Sequence, residues 1–192
     1  MKFFLVEGIR RFIQMIVGVS LFELPGLRNI RMALYQLVFD FKGKPTFISS
    51  HVLLFRGHKN VKSDTVDVGK ISIGEHLSVA ADVEIDYCGN LKIGRYVWIS
   101  EGCKIFTHTH KLVKDRVYYT DDSMEASELE IGDYAWLGAN VLVMPSVSYI
   151  GKNSIIGSGS IVTKDIPDGV LAVGSPAKVI RELKDEELIH EE

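Results

Sequence analysis

Aliphatic residues recur every six positions through the middle of the chain. Ile73, Val79 and Ile85 form one set, and Ile93, Ile99 and Ile105 a second. Ile131, Leu137 and Val143 form a third, and Ile150, Ile156 and Val162 a fourth. Glycine follows the first member of each set, as in Ile73-Gly74, Ile93-Gly94, Ile131-Gly132 and Ile150-Gly151, and again in Ile156-Gly157. An amphipathic helix repeats about every 3.6 residues and a half-buried strand every two, so neither template fits. A strand of about four residues followed by a sharp two-residue corner does fit. Three such strands make one turn of a triangular coil, and each set of three aliphatics points inward and stacks on the next. Four positions after each aliphatic a second, smaller inward residue is expected: Val83, Val97, Cys103, Thr109, Ala135, Val141, Val147, Ser154 and Ser160. Gly102, Asn140 and Asn153 suit corners, because Gly and Asn tolerate left-handed backbone.

The repeat breaks in three places. An eight-residue step from Ile85 to Ile93 predicts a bulge over Tyr87–Leu91, and a seven-residue step from Val143 to Ile150 predicts an extra residue near Ser148-Tyr149. Residues 111–128 carry charges and no repeat, and read as a loop leaving the coil. Loops on rigid repeats are where function concentrates. Residues 1–45 read as an N-terminal helical segment interrupted at Pro25-Gly26, residues 46–176 as the coil with ragged turns over 46–72, and residues 177–192 as a short charged C-terminal helix capping the open end.

Composition narrows the function classes. The chain has 192 residues, a net charge of −3 and 46% hydrophobic residues, which suits one globular domain with a small appendage and argues against nucleic acid. Cys88 and Cys103 supply neither a disulfide framework nor a zinc set, and they suit the cytoplasm. Arg10 and Arg11 precede an apolar run from Phe12 to Leu24, broken by Gln14 and Glu23, that is too short to span a bilayer. No small-residue cleavage site follows it. The leading reading is a helix packed on the domain or on a partner subunit. Weak contact with a membrane surface is the second reading, and export the third.

The run Ile131-Gly132-Asp133-Tyr134-Ala135-Trp136-Leu137-Gly138-Ala139, the run from Ile156-Gly157-Ser158 to Thr163-Lys164-Asp165-Ile166-Pro167, and Val173-Gly174-Ser175-Pro176-Ala177-Lys178 resemble the hexapeptide-repeat acetyltransferases. The likeness covers residues 70–182 and is nearest to the maltose/galactoside and polysaccharide O-acetyltransferase branches. It implies an all-β, left-handed parallel β-helix and a homotrimer with active sites between subunits. The activity it implies is O-acetylation of a sugar, or of a surface-polysaccharide precursor, from acetyl-CoA with no metal required.

Acetyl transfer from a thioester to a hydroxyl needs a base, donors for the oxyanion and a slot for CoA. Histidine suits the base. In Ile105-Phe106-Thr107-His108-Thr109-His110, an inward Thr109 leaves His110 projecting at the loop exit, and the family's Thr-His pair aligns there, so His110 is the expected base. His108 falls on the corner and is expected to contact substrate, with Asp86 and Asn90 in the bulge one coil earlier. The resemblance places Trp136 beside the acyl donor, with the Gly138 and Ala139 amides near the thioester. It likewise lines the CoA groove with Ser158, Thr163 and Lys164. Lys164, Lys178 and Arg181 suit CoA phosphates. In the 111–128 loop, Tyr118, Tyr119, Asp121 and Asp122 suit a sugar. Cys88 and Cys103 read as structural.

Two other readings stand beside this one. A γ-carbonic anhydrase-like metalloenzyme shares the coil but needs three zinc-bound histidines, and the spacing of His76, His108 and His110 does not match. A non-catalytic structural trimer would not need the Thr-His loop.

Overall fold

The computed structural model describes residues 2–24, 26–39, 47–56, 69–113, 116–117 and 124–189. Its body is a triangular parallel β-helix whose three faces are sheets of short strands. The first sheet stacks Lys70–Ile73, Asn90–Ile93, Glu128–Ile131 and Tyr149–Ile150. The second stacks Phe47–Ile48, Ser78–Val79, Trp98–Ile99, Trp136–Leu137, Ile155–Ile156 and Val170–Gly174. The third stacks Leu53–Phe55, Glu84–Asp86, Lys104–Ile105, Leu142–Val143 and Ile161–Val162.

The pairing register follows the six-residue sets. Ile73, Ile93, Ile131 and Ile150 align in one column. Val79, Ile99, Leu137 and Ile156 align in the second, and Ile85, Ile105, Val143 and Val162 in the third. All are buried, so each coil contributes one aliphatic per face to a continuous core. The smaller second residues Val83, Val97, Cys103, Ala135, Val141, Val147, Ser154 and Ser160 are buried too. Glycine follows the first column because the backbone of the next coil lies against it: a Cβ on Gly132 would stand 2.5 Å from the Lys152 nitrogen.

Thr109 breaks the inward pattern. It is exposed, while Thr107 is fully buried. The chain leaves the coil earlier than the six-residue count implies, because His108–His110 pairs antiparallel with Met124–Ala126 instead of continuing the third sheet. Pairing across that excursion is non-local, and the local repeat carries no trace of it.

The extra residue in the 143–150 step is pinned by Asp165, whose carboxylate accepts the Ser148 N–H at 2.6 Å, the Ser148 hydroxyl at 2.7 Å and the Tyr149 N–H at 3.0 Å. Burial pushes this carboxyl up, but the three bonds together more than offset it, holding it below its ordinary value.

Helices α1 (Lys2–Val17) and α2 (Leu27–Val38) close the N-terminal end of the coil. An open end presents unpaired strand backbone, and polar side chains from the helices meet it. The Gln14 amide accepts the Leu54 N–H at 3.2 Å and donates to the Leu54 carbonyl at 2.7 Å. Buried Arg31 donates to the Ile48 and Val19 carbonyls, and the Tyr35 hydroxyl to the Val52 carbonyl. Burial pushes the Tyr35 phenol up to about 12, partly countered by Arg31.

The other end is capped differently from the expected charged helix. Ala177–Glu182 is a strand, hydrogen-bonded antiparallel to Val170–Gly174, and only one 3-10 turn follows at Asp185–Glu187. Val179 and Ile180 are β-branched and favour a strand. The free edge of the second sheet offers partners that an isolated helix of this length would lack.

Candidate active site

Two irregularities meet at the corner between the third and first sheets. The first is the bulge after Ile85, which turns inward: Asp86, Tyr87 and Cys88 are fully buried. The second is the excursion that begins at Thr107. Asp86 joins them. Its Oδ1 accepts the Cys88 N–H at 2.9 Å, and its Oδ2 accepts the Thr107 N–H at 3.0 Å and faces His108 Nδ1 at 2.6 Å. Thr107 reinforces the corner, donating its hydroxyl to the Asp86 carbonyl at 3.0 Å and accepting the Gly89 N–H at 3.0 Å. Position 89 admits no side chain, since a Cβ there would stand 2.7 Å from the Thr107 carbonyl oxygen.

Burial pushes the Asp86 carboxyl up, but the hydrogen bonds from His108, Cys88 and Thr107 and the nearby His108 ring outweigh it. The group therefore titrates below the ordinary aspartate range and is a carboxylate at neutral pH. A carboxylate at 2.6 Å fixes the proton of a neutral His108 on Nδ1 and leaves the lone pair on Nε2.

His110 lies edge-on to His108, with ring centroids 5.5 Å apart at 79°. It is half-buried, and its Nδ1 is buried without a hydrogen-bond partner among the described residues. The expectation that His110 follows an inward threonine therefore does not hold, because the inward threonine is Thr107 and the histidine after it is His108. Asn90 stands one strand position from the end of the excursion, where its side-chain amide donates to Glu128 at 3.2 Å.

Asp86, Cys88 and His108 also have the donor types of a metal site, with ligand atoms within 4.8 Å of one another. The carboxylate is already occupied by N–H donors on both oxygens, so the trio is held as a hydrogen-bonded cluster. His76 does not join it. It stacks on Tyr96 at the corner between the first and second sheets, with centroids 4.4 Å apart.

The expected donor-site residues occupy other parts of the prism. Trp136 is exposed on the second sheet, bonded through Nε1 to the Ser100 hydroxyl at 3.0 Å and flanked by Trp98 with centroids 6.0 Å apart. Ala139 and exposed Ser158 sit at the corner after that sheet. The Gly138 N–H, expected near the thioester, is engaged instead: it donates to the Ile156 carbonyl at 2.8 Å as part of the stacking of coils. Thr163 and Lys164 lie at the corner after the third sheet, two coils beyond the one that ends at Phe106. Lys178 is exposed on the antiparallel strand, and Arg181 is paired with Glu187 at 2.6 and 2.7 Å. Tyr118, Tyr119, Asp121 and Asp122 lie outside the described residues.

The sequence reading missed Thr107 and a ladder of rings. His76, Tyr96 and Tyr134 stack in successive coils, all with positive φ, and Asn153 follows them in the same column. Each stands three residues after an inward isoleucine, so the repeat contained the signal.

No family model matches the chain. A galactoside O-acetyltransferase of Lactococcus lactis is 35% identical over 155 residues, covering 81% of this chain and 69% of that one. Among solved structures, a galactoside acetyltransferase in complex with coenzyme A superposes with a TM-score of 0.75 at 26% identity, covering 95% of this chain and 82% of its own. A hexapeptide-repeat acetyltransferase of Vibrio cholerae complexed with acetyl coenzyme A gives a TM-score of 0.75 at 25% identity, over 94% and 88% of the two chains. With its six-residue register, its left-handed parallel β-helix and these relatives, the chain belongs to the hexapeptide-repeat acetyltransferase family.

Proposed function

We propose that this protein transfers the acetyl group of acetyl-CoA to a hydroxyl of a sugar or a surface-polysaccharide precursor, with His108 as the general base. The observation that carries the base assignment is the Asp86–His108 contact at 2.6 Å, which holds the proton on Nδ1 and leaves the lone pair on Nε2. The sugar acceptor rests on the galactoside relatives.

In the reaction His108 Nε2 takes the hydroxyl proton as the oxygen attacks the thioester carbon. Collapse of the tetrahedral intermediate breaks the carbon–sulfur bond, and the imidazolium returns the proton to the CoA sulfur. Asp86 stabilises that imidazolium. His110 has a different part. A buried N–H without an acceptor is rarer than a buried acceptor without a donor, so its unpartnered Nδ1 favours the tautomer protonated on Nε2. Such a group donates to the carbonyl oxygen as it gains charge.

The placement of residues supports a trimer with shared sites. In each coil the second sheet faces away from the corner that carries His108, so Trp136 and His108 of one protomer point to different sides. A second copy brings a Trp136 face to each histidine corner. Trp136, Ala139, Ser158, Thr163 and Lys164 then line the donor groove, with Lys164, Lys178 and Arg181 toward the CoA phosphates. Two buried cysteines that form no disulfide and a CoA donor suit the cytoplasm.

Acetyl transfer to a panel of sugars, followed by release of free CoA thiol, tests the reading together with the variants His108→Ala and His110→Ala. Loss of about 10²–10⁴-fold in kcat is expected for His108→Ala, with a smaller loss for His110→Ala and unchanged CoA affinity by calorimetry for both. A dead His110→Ala beside a nearly normal His108→Ala would assign the base to His110. A light-scattering mass of one protomer with full activity would overturn the shared site.

A further inference from the structure

Helix α1 is built inside out. Its inward side carries Glu7, Gln14 and Val17, all buried. Glu7 faces Arg10 and Arg11, and Arg10 donates to the Tyr87 hydroxyl at 3.2 Å. Its outward side carries Leu5, Ile9, Phe12 and Ile16, and Val19 follows just beyond its end, each more than two-fifths exposed. At 3.6 residues per turn the helical residues of this set, with Val6 and Met15, cover roughly 180° of the helix circumference. α2 repeats the inversion, with Arg31 and Tyr35 fully buried and Ile30 and Leu37 exposed. Capping the coil explains the inward polar groups, since strand backbone needs them. It does not explain apolar residues on the outside, where water would favour polar ones.

Charge identifies the partner. Residues 1–45 hold seven Lys and Arg against three Asp and Glu, a net +4 in a chain whose total is −3. The single acidic residue of α1 is buried Glu7, and α2 has none, so neither helix shows an acidic side chain to solvent. Arg11 and Arg28 are exposed on these helices. Beside Arg11 and Met15 a cleft of about 510 Å³ opens, with Val19, Leu53 and Phe55 as apolar wall. A broad apolar face with a basic margin describes a surface that lies in an interface, and among the described residues no helix is long and apolar enough to cross a bilayer.

We propose that the outer face of α1 and α2 docks on an anionic lipid bilayer surface. A second copy of the chain is a poorer occupant. It would bring one basic margin against another, and its seam would need only the narrow stripe of a coiled coil.

Flotation of the full-length protein with phosphatidylcholine vesicles, with and without phosphatidylglycerol, tests this. The protein should float with the mixed vesicles, less with the neutral ones, and less as salt rises. Arg11→Gln should weaken binding to mixed vesicles on the order of fivefold. Ile9→Glu/Phe12→Glu should abolish flotation while CoA affinity and assembly mass stay unchanged. Absence of flotation by the unaltered protein would overturn the proposal, as would a double variant that still floats. A change of assembly mass in that variant would make the face an interface between copies. Loss of CoA binding by the unaltered protein would instead count against the acetyl-transfer reading and leave the membrane surface standing.

Discussion

Replacing Asp86 by Asn keeps the shape of the side chain and inverts half of its chemistry. The carboxylate faces three N–H donors, from Cys88, Thr107 and His108. Asparagine offers one acceptor oxygen and one NH2 group. If the oxygen takes the Oδ2 place, the NH2 confronts the Cys88 N–H. If it takes the Oδ1 place, the Thr107 N–H loses its acceptor and His108 must shift its proton to Nε2 to accept the new donor. Either orientation strands at least one buried N–H, at a cost of about 1–3 kcal/mol. For a chain of this length that lowers the melting temperature by about 2–12 °C. The second orientation also removes the basic lone pair, and tautomer inversion of this kind in a hydrolase triad costs ~10⁴ in kcat. We expect Asp86→Asn to fold, to bind CoA normally and to lose about 10²–10⁴ in kcat.

The acid limb of stability gives a second reading of the same variant. The Asp86 pKa is depressed in the folded state, so its contribution is fully present above the unfolded value of about 3.9 and is lost as pH falls through the lower folded value. Acid unfolding of the parent protein should therefore steepen below about pH 4 relative to Asp86→Asn. A folded Asp86→Asn with kcat within threefold of the parent would refute the role given to the dyad.

Two other expectations follow from the same framework. Burial pushes the Cys103 thiol up to about 11, and its Sγ lies 3.1 Å from the Gly138 carbonyl, so native protein should leave this cysteine unreacted with a thiol reagent until it unfolds; fast native labelling would contradict the packing. Asp165→Ala removes three hydrogen bonds at an exposed site where water substitutes in part, so the loss should be about 1–2 kcal/mol, read as a lower midpoint in urea with activity retained; an unchanged midpoint would mean the extra residue near Ser148 holds itself.

The regular part of the fold was legible because its cause is local. Each aliphatic column, each glycine after the first column and each corner asparagine recurs within a window short enough to read. What was misread depends on partners far along the chain. Ala177–Glu182 is charged enough to suggest a helix, but the free edge of Val170–Gly174 decides it. Gln14, Arg31 and Tyr35 look like ordinary helix residues until the exposed backbone of residues 48–54 is set beneath them. Gly138 looked free to meet a thioester, although the stacking of coils consumes its N–H.

The breaks in the repeat separate by chemistry. Regular coils bury aliphatics and use their backbone N–H groups on each other, which leaves a stiff frame with no buried carboxylate among the described residues. The break near Ser148 stays at the surface, and the carboxylate that holds it faces water, so it repairs the register and no more. The breaks after Ile85 and after Phe106 are in adjacent coils and meet. One supplies a fully buried carboxylate, and the other a histidine within 2.6 Å of it. A buried charge is costly unless fully bonded, and all three of its partners come from these two segments. Neither irregularity accounts for the other's cost alone: without the excursion Asp86 would lose the Thr107 N–H and His108, and without the bulge His108 would have no carboxylate. Their mutual dependence explains why the inward threonine is Thr107 and not Thr109: the buried carboxylate holds the Thr107 N–H, two residues before the position that the six-residue count implies.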